Sequence, residues 1–270
     1  MTRTRRLRLL ARVCHPAPTA AVTTLACLLA LSRGLAPSRV GVVTLAVLTG
    51  QLTIGWSNDL VDADRDRQSG RADKPLAQGE LPVALVYRAI GAALVVCVAA
   101  SFWDGWSAGL VHLGLVVSSG WVYNLWLKRT AASFLPYAVA FGALPAFVTL
   151  SGSPAVVPPW WLAATGALLG VGAHFVNVLP DLADDAATGV QGLPHRMGER
   201  GARSAAAVAL LGGSAVSVLG PIGRVPGWAY AGLGLAAALA IVTVTGRGKA
   251  PFRAAIGIAL VDVVVLVLRS

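Results

Sequence analysis

The chain has 270 residues, of which 56% are hydrophobic and only 13% are charged. Soluble domains carry about 25% charged residues, so the composition excludes an ordinary soluble enzyme, and its high hydrophobicity excludes intrinsic disorder. The remaining class is a polytopic membrane protein with one transmembrane domain. A net charge of +10 needs no nucleic-acid partner, because basic loops on the cytoplasmic side of a membrane account for it.

Apolar segments long enough to cross a bilayer recur along the whole chain. We predict an all-α protein with nine transmembrane helices at 17–34, 39–57, 83–101, 107–127, 133–150, 160–179, 203–221, 227–245 and 251–268. Residues 1–16 are predicted to be a retained basic cytoplasmic tail rather than a signal peptide, and 17–270 a single transmembrane domain.

The distribution of Lys and Arg predicts the orientation. With the N-terminus inside, 18 basic residues fall in inner segments and 4 in outer segments, which is the asymmetry that cytoplasmic loops show. The expected location is a cell membrane, with the N-terminus inside and the C-terminus outside. The three cysteines have no metal-binding spacing, and we interpret them as packing residues.

The acidic residues are few and clustered. Ten of the 12 lie in two windows, 59–80 and 181–199, and only Asp104 and Asp262 lie elsewhere. Both windows contain the pattern N-x3-D-x3-D-x3-G. The first begins at Asn58 and the second at Asn177, and the chain has only three asparagines. A polar motif is therefore repeated, and both copies are predicted at cytoplasmic helix ends. We find no role for Asp262.

A spacing of four residues places each Asn and its two Asp on one face of a helix. Neighbouring carboxylates repel one another unless a cation neutralises them, and ligand sets of oxygen atoms alone favour Mg²⁺ bridged to phosphate. Two such stripes fit a diphosphate held through Mg²⁺. The alternative is that they are solvated helix ends or ion-pair with nearby Arg.

The first motif, NDLVDADRD at 58–66, resembles the NDxxDxxxD motif of the UbiA-type intramembrane prenyltransferase superfamily, which includes 4-hydroxybenzoate polyprenyltransferases. Residues 181–185 resemble its second motif, DxxxD. Residues 71–81, 123–130 and, weakly, 12–16 are similar to its basic-Pro-Leu, Tyr-x4-Lys-Arg and Arg-x-x-Lys-Pro segments. The resemblance covers nearly the whole chain. It implies a UbiA-like helical bundle capped by two cytoplasmic Asp-rich loops.

The resemblance also implies transfer of a prenyl group from an allylic prenyl diphosphate to a small, often aromatic acceptor, as in quinone or secondary-metabolite biosynthesis. The expected partners are these two substrates and the lipid bilayer, and Mg²⁺ is the expected cofactor. The metal candidates are Asn58, Asp59, Asp62, Asp66, Asp181, Asp184 and Asp185.

The same comparison suggests contacts for the substrates. Candidates for diphosphate binding are Asn58, Asn177, Arg71, Lys74, Lys128 and Arg129; of these, Lys128 joins Asp62, Asp66, Asp181 and Asp185 as a catalytic candidate. The alternative for the basic residues is a purely topogenic role.

Weaker candidates for acceptor binding are Arg12, His174 and Tyr123. Arg12 is equally explained as one of the basic N-terminal run, His174 as a core histidine and Tyr123 as an interfacial tyrosine. At position 15, His15 replaces the family's commoner Lys, so the resemblance does not identify the acceptor.

Two other functions remain open at this point. A terpene cyclase of the same superfamily would use the same Mg²⁺–diphosphate site, with the prenyl cation attacking its own double bonds. A transporter would share internal repeats and membrane-embedded acids, but its site is expected near the middle of the bilayer. The prenyl length and the oligomeric state do not follow from the sequence.

Overall fold

The computed structural model describes residues 2–182 and 189–269, without the side chains of Arg3 and Asp181. Within these ranges the chain is helical and contains no strand. The ten principal helices are α1 Arg3–Val13, α2 Pro16–Ser32, α3 Pro37–Gln68, α4 Val83–Phe102, α5 Trp106–Leu125, α6 Leu135–Leu150, α7 Trp160–Val178, α8 Leu193–Leu219, α9 Gly227–Thr245 and α10 Ala250–Arg269.

Seven of the described helices are long and apolar enough to cross a membrane, or eight if α1 and α2 form one bent span. Helices α2 to α10 follow the nine predicted intervals in order, but α6 has only 16 residues and α2 enters the count only as half of a bent pair. The all-α class is confirmed. The count of nine membrane crossings stays a prediction.

The predicted N-terminal tail contains a helix. Helix α1 meets α2 at an angle of 74°, and His15, at the junction, adopts the left-handed conformation with φ 55°. Leu9 and Val13 are buried with Trp56 of α3, whose indole nitrogen donates to the Leu10 carbonyl over 2.9 Å. The basic segment is therefore packed onto the bundle through its apolar face.

The helices enclose a central space. Helix α3 packs on α2 and α4, α7 packs on α6 and α8, and α10 contacts both α2 and α7. Helix α3 has 32 residues, about 48 Å at 1.5 Å per residue, whereas the hydrocarbon core of a bilayer is about 30 Å thick. One end of α3 therefore extends beyond the membrane, and the first Asp motif lies at its C-terminal end.

Asp104, one of the two isolated acids, is a partner of Arg39, which joins three segments at the opposite end of the bundle. Arg39, near the start of α3, contacts Asp104 Oδ1 over 3.2 Å and donates to the carbonyls of Ser151 and Gly152 over 2.6 and 3.2 Å. Burial raises the pKa of Asp104, and Arg39 opposes that shift. Asp104 thus has a structural role.

Glycines allow α6 and α7 to approach closely. A Cβ atom at Gly166 would lie 2.2 Å from the carbonyl oxygen of Phe141, and one at Gly170 would lie 2.6 Å from that of Tyr137. Both glycines belong to a G-x3-G sequence on α7, a spacing that lets membrane helices pack backbone to backbone.

We expect Gly166→Ala to lower the free energy of unfolding by about 1–3 kcal/mol, because the added methyl group meets backbone that cannot move aside. Thermal unfolding in detergent measures this effect. Gly91→Ala on α4 is the matched control, since a Cβ there meets nothing within 4 Å. Equal melting temperatures for the two variants would contradict the close contact.

Candidate active site

A cavity of about 350 Å³ lies inside the ring of helices. One end is lined by polar side chains from α3, the α3–α4 loop and the turn after α5, among them Asp62, Lys74 and Lys128. The rest runs between apolar side chains such as Leu25, Leu144 and Leu266. Its volume is within the range of small-molecule sites, and its shape suits a ligand with a charged head and an apolar tail.

The first Asp motif forms the polar end. Asn58, Asp62 and Asp66 all line the cavity, as their spacing of four residues along α3 requires. Asp62 is 5% exposed and Asp66 is 4% exposed. Carboxylates this deeply buried need cationic partners, because desolvation of an unpaired charge is very costly.

Two cations meet Asp62. Lys128, in the turn Leu127–Arg129, is 6% exposed and donates from Nζ to Asp62 Oδ1. Arg65 Nη2 lies 3.1 Å from Asp62 Oδ2 and 3.8 Å from Asp66 Oδ1. Burial lowers the pKa of Lys128, and Asp62 opposes that shift. The result is a buried group of cations and carboxylates facing the cavity.

Asp59 differs from the other acids of the motif, because it is buried but does not line the cavity. Its Oδ1 atom lies 2.9 Å from His15 Nε2 and accepts from Lys74 Nζ over 2.8 Å. Asp59 thus holds His15 and Lys74 at the cavity wall, and its predicted place among the metal ligands stays a prediction.

The α3–α4 loop folds over the polar end and brings Arg71 and Lys74 to the cavity. The Arg71 guanidinium contacts both oxygens of Asp73, over 2.9 and 3.0 Å, and this bond is the main reason that the pKa of Asp73 is lowered to about 2. Arg12 is exposed and donates to the Asp73 backbone carbonyl over 3.4 Å. Arg12 is not among the residues that line the cavity, and its predicted role in acceptor binding stays a prediction.

All three asparagines of the chain line the same cavity. Asn58 Nδ2 donates to Asn124 Oδ1 over 3.1 Å, and Asn124 Nδ2 donates to the Ser57 hydroxyl and the Ile54 carbonyl, both over 2.9 Å. Asn124 thus orients the Asn58 amide group through the nitrogen of that group.

Comparison with known proteins identifies this arrangement. Residues 20–256 match the model of the UbiA prenyltransferase family. The chain belongs to the UbiA prenyltransferase family. Its enzyme class is therefore prenyltransferase, and its apolar helices are those of an integral membrane protein. No curated protein matches the chain significantly.

Solved structures of UbiA homologues share the fold. The apo homologue from Aeropyrum pernix K1 is 18% identical and superposes with a TM-score of 0.75 over 94% of this chain and 98% of its own. The homologue from Archaeoglobus fulgidus bound to GPP and Mg²⁺ is 16% identical, with a TM-score of 0.72 over 97% and 100%. A digeranylgeranylglyceryl phosphate synthase is 15% identical, with a TM-score of 0.66 over 97% and 98%.

The second Asp motif of this UbiA chain is described only at its start. Asn177 is exposed and lines the cavity, which brings the first residues of the two motifs to one space. The Asp181 side chain and the whole of Asp184 and Asp185 lie outside the described residues, so their predicted roles remain predictions. Among the described residues, no group of three or more His, Cys, Asp or Glu side chains could hold a metal ion.

Aromatic side chains follow the polar end on one side of the cavity. His174 is 1% exposed, and its ring centre lies 4.9 Å from that of Tyr137 and 5.6 Å from that of Tyr123. Its Nε2 lies 3.0 Å from the Ser133 hydroxyl, which also accepts from the Leu193 amide over 2.9 Å. His174 and Tyr123, two weak acceptor candidates, are thus brought together.

Arg129 is the diphosphate candidate that the structure places elsewhere. It follows Lys128 in the same turn, but it is exposed and does not line the cavity. The two neighbours point in different directions because consecutive residues of a helical turn lie about 100–120° apart. Lys128 lines the cavity and Arg129 does not, and the predicted roles of both in diphosphate binding stay predictions.

Sequence reasoning missed Arg65, Asn124 and the contact that His15 makes. Arg65 was hidden by the abundance of arginines near the motif, which topology alone explains. Asn124 had a usable signal, because it is the third asparagine of a chain whose other two open the Asp motifs. His15 was noted only as a departure from the family pattern, whereas the structure shows it beside Asp59.

Proposed function

We propose that this protein transfers a prenyl group from an allylic prenyl diphosphate to a small aromatic acceptor, with Mg²⁺-assisted release of diphosphate. One observation carries the proposal. The buried carboxylates of Asp62 and Asp66 and the Lys128 ammonium face one end of a cavity whose remaining walls are mostly apolar. The charged end suits the diphosphate, and the apolar length suits the prenyl tail.

The donor set fits a magnesium ion. Asn58, Asp62 and Asp66 present oxygen atoms alone, as Mg²⁺ prefers, and Mg²⁺ usually combines one or two carboxylates with substrate phosphate. We expect Asp181, Asp184 and Asp185 to complete the set from the opposite motif. When bound, the ion neutralises the charge that develops on the leaving diphosphate. The homologue bound to GPP and Mg²⁺ supports this proposal.

The protein's own cations contribute to the same step. As the allylic C–O bond breaks, its electron pair passes to the diphosphate, and fixed cations aimed at that charge lower the barrier. We assign Lys128, Lys74 and Arg71 to this role, because each lines the cavity. Arg65 and Asp59 act as positioning residues, which hold Asp62 and Lys74 respectively.

The acceptor is proposed to bind beside Tyr123, Tyr137 and His174. The tyrosine rings stabilise the allylic cation through their faces, and an aromatic acceptor packs against them. A ring carbon of the acceptor then bonds to the prenyl carbon, and the proton that this carbon loses passes to the released diphosphate. Arg12 is left out of this site, since its guanidinium contacts the loop backbone.

The topology completes the proposal. We infer nine crossings of the cell membrane by one domain, 17–270, with the N-terminus and both Asp motifs on the cytoplasmic side. The distribution of basic residues supports this, with 18 in the inner segments and 4 in the outer ones. A soluble diphosphate substrate would then reach the polar end of the cavity from the cytoplasm.

A matrix of allylic diphosphates and aromatic acceptors, read by mass spectrometry on purified protein, tests the proposal. We expect a prenylated acceptor and equimolar diphosphate with Mg²⁺, and activity at background level after chelation with EDTA, restored by added Mg²⁺. Product formation that survives chelation unchanged would contradict the metal assignment.

The same assay without an acceptor separates the two enzymatic functions. The transferase proposal expects no cyclic product when prenyl diphosphate and Mg²⁺ are supplied alone. A cyclic hydrocarbon or alcohol would identify a terpene cyclase instead. If no allylic substrate releases diphosphate, and liposomes show substrate flux, the transporter function would replace both.

A further inference from the structure

The apolar part of the cavity contains a polar patch that diphosphate binding does not use. Asp262 of α10 and Thr165 of α7 both line the cavity, and they are 1% and 3% exposed. Asp262 Oδ2 accepts from the Ser214 hydroxyl of α8 over 3.0 Å. Three helices therefore bring polar groups to one region of a membrane-embedded space, where each such group is costly.

Neither lining residue has its hydrogen-bonding capacity filled. Among the described residues, the Thr165 hydroxyl has no hydrogen-bond partner although its oxygen is buried. Ser214 is the partner that the structure gives Asp262, and it contacts only Oδ2. Buried polar groups are nearly always satisfied, and an unsatisfied one costs about 1–3 kcal/mol. A buried Thr165 hydroxyl without a described partner and a carboxyl group whose one oxygen accepts from Ser214 both line a ligand cavity, and this combination indicates a polar group on the ligand.

Helix α8 contacts both residues through two consecutive positions. The Thr165 carbonyl oxygen lies 3.4 Å from the position of a Cβ on Gly213, the residue before Ser214, and Ser214 bonds to Asp262. The patch is also far from the diphosphate end. Thr165 and Asn177 are twelve residues apart on α7, about 18 Å at 1.5 Å per residue.

We propose that Asp262 and Thr165 form a second subsite, which binds a neutral hydroxyl group carried by a substrate about 18 Å from its reacting end. A hydroxyl both donates and accepts, so it pairs with the carboxyl group and with the Thr165 hydroxyl together. The inference rests on the proposed function, in that an elongated substrate fills the cavity. The hydroxyl comes either from the far end of the prenyl chain or from an elongated acceptor.

Dissociation constants measured in detergent with Mg²⁺ test the subsite. In one arm, geranyl, farnesyl and geranylgeranyl diphosphates are each compared with an analogue that carries a hydroxyl on the terminal methyl group. In the other, hexadecanol is compared with hexadecane in the presence of dimethylallyl diphosphate, whose chain is short. We expect the hydroxyl to tighten binding by about ten-fold or more in one arm. That arm identifies whether the prenyl chain or the acceptor carries the hydroxyl.

The variants separate recognition from packing. Asp262→Leu and Thr165→Val should both lose the hydroxyl preference, while Ser217→Ala should keep it, because Ser217 is a buried α8 serine outside the cavity lining. If Asp262 only links α10 to Ser214 of α8, Asp262→Leu would alter the melting temperature and leave the hydroxyl preference unchanged. If Asp262→Leu does not fold, Thr165→Val decides, since valine keeps the shape of threonine.

The inference is overturned if neither arm shows a hydroxyl preference, or if the preference persists in either folded variant. Its failure differs from that of the proposed function. If unmodified geranylgeranyl diphosphate binds in the presence of Mg²⁺ and binds more weakly to the Asp62→Asn variant, the proposed function is supported whatever the hydroxyl analogues do. Absence of any binding by the unmodified diphosphates would instead count against that function.

Discussion

Asp62→Asn is expected to lower kcat/KM for prenyl transfer by about 10²–10³-fold, the range found when one fixed charge-stabilising group is removed from an active site. Asp62 meets Lys128 and Arg65 and lines the polar end of the cavity, so its carboxylate both holds these cations and supplies oxygen ligands. Asparagine keeps the shape and removes the charge. Steady-state kinetics at saturating Mg²⁺ measures the loss.

Asp64→Asn is the matched control for this variant. Asp64 belongs to the same motif and is two residues away on α3, but its side chain is 86% exposed and pairs with Arg67. We expect activity within about two-fold of wild type, since exposed ion pairs contribute little. Equal losses in both variants would indicate a general effect of motif charge, and full activity in Asp62→Asn would refute the site.

The second large effect is expected at Lys128. Lys128→Met should lower kcat/KM by about 10²-fold, with a raised KM for the prenyl diphosphate, because the ammonium group is buried beside Asp62 and lines the cavity. Part of this loss arises through Asp62, whose carboxylate then keeps Arg65 as its cationic partner among the described residues. The double variant Asp62→Asn/Lys128→Met should therefore lose less than the product of the two single losses.

Lys249→Met serves as the control for Lys128→Met. Lys249 is exposed in the segment before α10 and is outside the cavity lining, so the same change of charge there should leave the kinetics within about two-fold. A melting temperature measured for each variant separates lost activity from lost fold. Wild-type kinetics in a folded Lys128→Met protein would show that Lys128 serves only to orient the chain in the membrane.

Much of the site was predictable from residue spacing. The positions Asn58, Asp62 and Asp66 share a helix face because the helix repeats every 3.6 residues, and the structure places all three on the cavity. Clustering of ten of the 12 acids was informative because charges are rare in a membrane chain. Asp59 and Arg129 show the limit of this reasoning, because which neighbour of a functional residue faces the cavity depends on packing against other helices.

The sequence by itself determined the membrane class, the order of the apolar helices and the family, because hydropathy, spacing and motif are local properties of the chain. Only the tertiary structure decided which cations meet which carboxylates. Lys128 and Asp62 are 66 positions apart, and Asn124 reaches Asn58 over the same separation. It also brought Asp262, which had no role in the sequence, to a cavity wall beside Ser214. Such contacts arise from packing between helices, and no local pattern encodes them.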